Sequence, residues 1–252
     1  MQQIKSFIIM CITAVSLAAC NQQYVSYTDT IEVNGQSLFY AAEGKGKPVI
    51  LIHGNGGSHN DLETTLRQLA QNGYLVFAID SRGQGANAPL NEYHYKDMAE
   101  DTYQFIKAKG LDHPAIFGWS DGGIIALQLE VLHPGTCSLI ITSGANITAK
   151  GAIKDEVYED IFGPADAQRP PLVQMMYDEP NMTHADMQSI KCPALICAGD
   201  NDLIMESHTR LIAESIPNGQ LHIEPDADHG SHIWHNPRMG EIILNFFKTN
   251  KY

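Results

Sequence analysis

Ser120 lies in Gly118-Trp119-Ser120-Asp121-Gly122, between a short apolar stretch, Ala115-Ile116-Phe117, and a longer one over 123–132 that stops at His133-Pro134-Gly135. The first reads as a strand and the second as a buried helix. A serine on so sharp a strand-to-helix turn is pushed clear of the sheet, and the flanking glycines let neighbouring backbone close in. The helix N-terminus then turns free N–H groups and its positive dipole end toward any negative charge that forms nearby. That is the setting of a nucleophile for acyl transfer. A pattern with three fixed positions also arises by chance, so its partners decide its meaning.

A serine hydroxyl needs a base, and the base needs a third group to fix its tautomer. The apolar run Pro193-Ala194-Leu195-Ile196-Cys197-Ala198-Gly199 reads as a strand and ends in Asp200-Asn201-Asp202. Asp200 is placed to close a turn on nearby backbone, whereas Asp202 lies deeper in the loop and can reach a histidine. Asp202 is the preferred acid. Gln220-Leu221-His222-Ile223 reads as the last strand, and His229, His232 and His235 follow within a short stretch. His229 comes first and precedes Gly230, so it is the preferred base, with His232 the alternative. The three histidines also raise the question of a metal. Gly230 and Pro237 argue against one helix carrying all three, and no metal or other cofactor is expected.

Pro48-Val49-Ile50-Leu51-Ile52 reads as a buried strand followed by His53-Gly54-Asn55-Gly56-Gly57-Ser58. A backbone N–H from Asn55, beside that of Asp121, would make an oxyanion hole. The alternative is a plain flexible turn.

These motifs, with Asp80-Ser81-Arg82-Gly83-Gln84-Gly85 after another strand and Pro225-Asp226-Ala227-Asp228-His229 near the end, resemble the α/β-hydrolase superfamily over about residues 27–252. The resemblance implies a triad of Ser120, Asp202 and His229, although Asp228 stands where the family usually has glycine. The stretch 118–123 is also similar to the elbow of biphenyl-hydrolase-like and valacyclovirase-type enzymes. That likeness implies a carboxylate, Asp121, that meets a substrate's α-amino group; the alternative is that its backbone N–H alone acts while the carboxylate sits in water at the helix N-terminus. The fold expected is a three-layer α/β/α sandwich with a mostly parallel eight-stranded sheet and a small cap.

Coarse elements agree with this expectation. Residues 31–40 read as a hairpin around Asn34-Gly35; 61–71, 98–107, 207–216 and 239–247 read as helices; 74–79 and 137–142 read as strands. The segment 146–190 breaks the rhythm, with four prolines and room for two or three short helices. There Met175, Met176 and Tyr177 are candidates, with Trp119, to line a substrate pocket; the alternative is that they pack the cap onto the body.

The chain has 252 residues, 44% of them hydrophobic, enough for one large core. Lys5, an apolar run over 7–17 and then Leu17-Ala18-Ala19-Cys20 read as a signal peptide over 1–19. Its end resembles a bacterial lipobox, which implies a lipid on Cys20, a tether over 20–26, and a place in the cell envelope. By resemblance to the lipoprotein sorting rule of enteric bacteria, Asn21 rather than aspartate after the cysteine implies the outer membrane, facing the periplasm. The net charge of −13 argues against nucleic acid as a partner. Cys192 and Cys197 bracket one strand and would sit about 16 Å apart at ~3.3 Å per residue, too far to bridge.

The function expected is hydrolysis of a small carboxylic ester, lactone or amide through an acyl-enzyme, with perhydrolase chemistry on the same triad also open. The competing expectation is an inactive hydrolase-fold lipoprotein that binds a ligand or partner. Acyl group, leaving group and oligomeric state are left open.

Overall fold

A computed structural model describes residues 23–252. The signal segment, Cys20 and the first part of the expected tether lie outside the described residues. The tether's end does not: β1 (Val25–Val33) already pairs with β2 (Gln36–Gly44) at Val25–Gly44. Asn34 and Gly35 join the two strands, both at positive φ (48° and 72°), the geometry that a two-residue hairpin turn needs.

Six more strands follow: β3 (Lys47–Ile52), β4 (Tyr74–Ile79), β5 (Ala115–Trp119), β6 (Leu139–Ser143), β7 (Ala194–Gly199) and β8 (Gly219–Glu224). They form one eight-stranded sheet in the order β1-β2-β4-β3-β5-β6-β7-β8. β1 and β2 pair antiparallel, as do β2 and β4, and the other pairs are parallel. The central strands read as unbroken apolar runs because both faces are covered. Ile50, Ile52, Ile116, Ile140 and Ile196 join Phe105, Ile124, Leu127 and Ile212 in one core. Val49, Leu51, Phe117, Ile141 and Cys197 join Leu66, Leu69, Ile243 and Phe247 in the other. Successive residues of a strand thus alternate between the two layers.

The first core is closed by α2 (Tyr95–Lys109), α3 (Asp121–Leu132) and α7 (Glu206–Ser215), the second by α1 (Glu63–Gln71) and α8 (Arg238–Thr249). α3 is buried from Asp121 to Glu130, hence its apolar character all round. Between β6 and β7 come α4 (Asp155–Phe162), α5 (Pro171–Asp178) and α6 (His184–Ser189). α4 and α5 share a small cluster in which Phe162, Ile153 and Ile204 are buried, whereas Met187 of α6 joins the first core.

Several boundaries depart from the sequence expectation for identifiable reasons. The helix expected from 61 is preceded by a 3₁₀ turn at His59–Leu62, set by a capping box between Ser58 and Asp61, and α1 starts at Glu63. α2 starts at Tyr95 rather than 98, because the Glu179 carboxylate accepts the Tyr95 N–H at 3.0 Å. β6 starts at Leu139, since the Cys137 N–H is taken by the Glu130 carboxylate at 3.0 Å.

Candidate active site

Ser120 bridges β5 and α3 at φ 53°, ψ −116°. For a residue with a side chain this backbone costs roughly 1–3 kcal/mol and persists only when its surroundings enforce it. Here they do. The Ser120 N–H donates to Ser143 O at 2.8 Å, and Ser120 O accepts from Gly123 and Ile124 in the first turn of α3. A Cβ on Gly118 would lie 2.1 Å from Gly122 O, and one on Gly122 would lie 2.1 Å from Ile52 O. The elbow is therefore built by close backbone approach, which only glycine allows.

Three of the residues singled out by sequence meet at this elbow. His229 Nε2 lies 2.9 Å from Ser120 Oγ, and His229 Nδ1 lies 2.7 Å from Asp202 Oδ1. Nδ1–H facing the carboxylate leaves Nε2 free to accept the serine proton. Asp202 is 1% exposed and also accepts the Ile204 N–H at 2.9 Å. Asp200 does different work. Its carboxylate accepts the N–H groups of Asp226 and Ala227 at 3.0 and 3.2 Å, tying the β7 loop to the loop that carries His229. Asp228, the departure from the family pattern, accepts the N–H groups of Gly230 and Ser231 at 2.9 and 2.7 Å. Those bonds hold its carboxyl below the usual range and shape the turn after His229.

The other histidines lie apart from Ser120. His232 is buried with Nε2 2.9 Å from Ser143 Oγ, and burial lowers its pKa. His235 is exposed beside Trp234. Among the described residues no cluster of His, Cys, Asp or Glu is suited to a metal ion. Cys137, Cys192 and Cys197 are free thiols, and burial pushes Cys192 up to about 12.

The loop after β3 packs against the elbow: a Cβ on Gly54 would touch Ser120 Cβ at 3.3 Å. Its anchors are internal. His53 is buried, accepts the Ser81 N–H at 2.9 Å and sets Nδ1 2.7 Å from Gly54 O, so it is held neutral with a lowered pKa by burial. Gln84 accepts the Gly56 N–H at 2.7 Å, which gives the 80–85 loop its place in the site. Asp121 is the first residue of α3, so its N–H has no partner within the helix.

A cleft of about 400 Å³ opens in front of Ser120 and His229. Asn55, Trp119, Met176, Leu203 and Trp234 line it. A larger depression, about 510 Å³, lies between the C-terminal ends of α2 and α3, at the opposite end of β5 from Ser120, and is lined by neither serine nor cysteine.

Of the pocket candidates, Trp119 and Met176 line the cleft; Met175 and Tyr177 do not. Met175 is 3% exposed in the main core, and Tyr177 packs on Phe162 beneath the Arg169 guanidinium, 3.7 Å from its ring. Asp121 also departs from expectation. Its side chain is 3% exposed and does not line the cleft; Oδ1 accepts the Tyr95 hydroxyl and Oδ2 the Asn55 amide, each at 2.8 Å. Burial raises its pKa, and the two donors pull it back. Tyr95, 26 residues away on another helix, carried no signal in the sequence. Nor did Gly144, which stands against the His229 ring.

The comparisons agree with the geometry. A family model described as the alpha/beta hydrolase fold matches residues 47–168. The human protein named serine hydrolase BPHL is 28% identical over 86% of this chain and 85% of its own length. A pimeloyl-[acyl-carrier protein] methyl ester esterase of Aliivibrio fischeri is 33% identical over 42% of this chain and 39% of its own length. Among solved structures, a thermophilic esterase from Thermogutta terrifontis superposes with a TM-score of 0.72, over 90% of this chain and 99% of that one, at 19% identity, a likeness of fold. Structure and relatives lead to one assignment: the chain has the α/β-hydrolase fold and is a hydrolase.

Proposed function

We propose that this hydrolase cleaves a small carboxylic ester, lactone or amide through an acyl-enzyme formed on Ser120. The observation that carries this is the linear relay from Ser120 Oγ through His229 to Asp202, at 2.9 and 2.7 Å. His229 takes the hydroxyl proton as Oγ attacks the carbonyl carbon. The resulting oxyanion is met by the N–H groups of Asn55 and Asp121. His229 then gives its proton to the leaving oxygen or nitrogen as that bond breaks. Water, deprotonated by the same histidine, releases the acid and restores Ser120. Asp202 keeps the ring in the required tautomer throughout.

The size and lining of the cleft support a compact, largely apolar acyl group, bounded by Trp119, Met176, Leu203 and Trp234. The names of the relatives point the same way, to serine hydrolysis and methyl ester cleavage. The test has two parts. A fluorophosphonate probe should label Ser120 and abolish turnover, and a panel of esters of graded chain length, with lactones and amides beside them, should rank the acyl group. Turnover that survives complete labelling would sink the proposal.

The same proposal places the enzyme in the bacterial cell envelope, anchored by a lipid on Cys20. Cys20→Ala should move the protein from the membrane fraction to the soluble one with activity retained. A full-length protein with no acyl mass on Cys20 would remove the anchor.

A further inference from the structure

Asn55 and Asp121 are joined by more than their place beside Ser120. The Asn55 side-chain amide donates to Asp121 Oδ2 at 2.8 Å, and the Tyr95 hydroxyl donates to the other oxygen, Oδ1, at 2.8 Å. Tyr95 is 1% exposed and Asp121 is 3% exposed. A buried carboxylate with only neutral donors is a poor source of stability, because desolvation offsets what the hydrogen bonds return. A fixed geometry is what such a network does supply.

The geometry concerns the two residues whose N–H groups would hold the oxyanion. Those donors must sit 2.7–3.1 Å from an oxygen that exists only during the reaction. The Asp121 N–H is fixed by α3. The Asn55 N–H sits in a loop with glycine at 54, 56 and 57 that Gln84 holds at Gly56, and the Asn55 side chain ties this residue itself to α3 through Asp121. We propose that Tyr95, the Asp121 carboxylate and the Asn55 side chain form a brace that sets the separation of the two oxyanion donors. Tyr95 clamps the carboxylate from α2, and the carboxylate holds the loop through Asn55. This rests on the acyl-transfer proposal for Ser120. It makes Tyr95 a positioning residue and gives the Asp121 carboxylate a task other than meeting a substrate cation.

The experiment measures kcat and KM per active site, counted by fluorophosphonate titration run to completion, on an alkanoyl ester and its α-amino counterpart. Full removal of an oxyanion donor costs on the order of a hundred- to a thousandfold in kcat, so displacing one should cost about ten- to a hundredfold. Tyr95→Phe, Asn55→Ala and Asp121→Ala should each lose that much kcat on both esters, with KM changed less than about threefold. Asp121→Asn should recover most of what Asp121→Ala loses, because an asparagine amide can bond both Tyr95 and a flipped Asn55. If Asp121→Ala fails to fold, Tyr95→Phe and Asn55→Ala carry the test, since each leaves the elbow residues intact. Unchanged kcat in those two, or a loss confined to the α-amino ester, would overturn the brace. Ser120→Ala separates the two levels. If it is inactive while the brace variants match wild type, only the brace falls; if it stays active, both fall.

Discussion

Gly144 stands where a side chain would strike the His229 ring: a Cβ there would lie 2.6 Å from Cε1 and 2.8 Å from Nδ1. Its φ of 67° adds a second reason for glycine. Gly144→Ala should therefore move the imidazole off the line between Ser120 and Asp202. A shift of about 1 Å in a reacting group costs on the order of a hundredfold. The expected result is a kcat loss of that order with KM nearly unchanged and native circular dichroism. Wild-type kcat would mean that the ring is not held from this side.

Ser120→Ala and Ser120→Gly separate chemistry from strain. Both should be inactive, since loss of a triad nucleophile costs on the order of a millionfold in turnover. Only glycine tolerates φ 53°, ψ −116° without penalty. Relief of roughly 1–3 kcal/mol should raise the Tm of Ser120→Gly by several degrees in a chain of this size, while alanine leaves it near wild type. Equal Tm for the two would show that the elbow stores no strain.

The two aspartates of the β7 loop should behave differently. Asp202→Asn keeps shape but takes away the charge facing His229 Nδ1, and should cost about ten-thousandfold in kcat. Asp200→Asn weakens two backbone bonds to Asp226 and Ala227, so its main effect should be on stability. His229→Ala should likewise far exceed His232→Ala, whose ring bonds Ser143. Kinetics of the four variants on one ester decide the matter, and the reverse order in either pair would reassign that role.

What could be read from sequence was whatever the chain keeps local. The elbow, its strand and its helix are contiguous, and the loops bearing Asp202 and His229 each follow a recognisable strand. The choice between Asp200 and Asp202 depends on where the N–H groups of Asp226 and Ala227 lie, which is tertiary information. Tyr95 was invisible for the same reason: its hydroxyl meets Asp121 only once α2 packs on α3. Even the start of α2 is set from the cap, by Glu179. Met175, Met176 and Tyr177 are adjacent in the sequence, yet residues on a helix advance about 100° each. Three in a row cannot share a face, and only Met176 reaches the cleft.

His208 gives the protein an acid-sensitive core. It is 7% exposed, its Nε2 accepts the Ile147 N–H at 3.1 Å, and burial holds its pKa at about 4 rather than the ordinary 6.5. As pH falls through 6.5 the unfolded chain takes up a proton at this residue, and the folded protein does not until pH reaches about 4. The unfolded state thus binds more protons across that window. Stability is lost from about pH 6.5 down to pH 4, and this residue removes nothing further below it. The shift corresponds to about 3 kcal/mol. His53 and His232, also lowered by burial, act in the same direction. His94 is raised by its bond to Glu179 and opposes them, but it is half exposed and weak. His208→Gln keeps an acceptor for Ile147 and cannot be protonated. Urea midpoints at pH 7 and pH 4.5 should therefore fall much less for this variant than for wild type, and equal falls would show that His208 is not what makes the fold acid-sensitive.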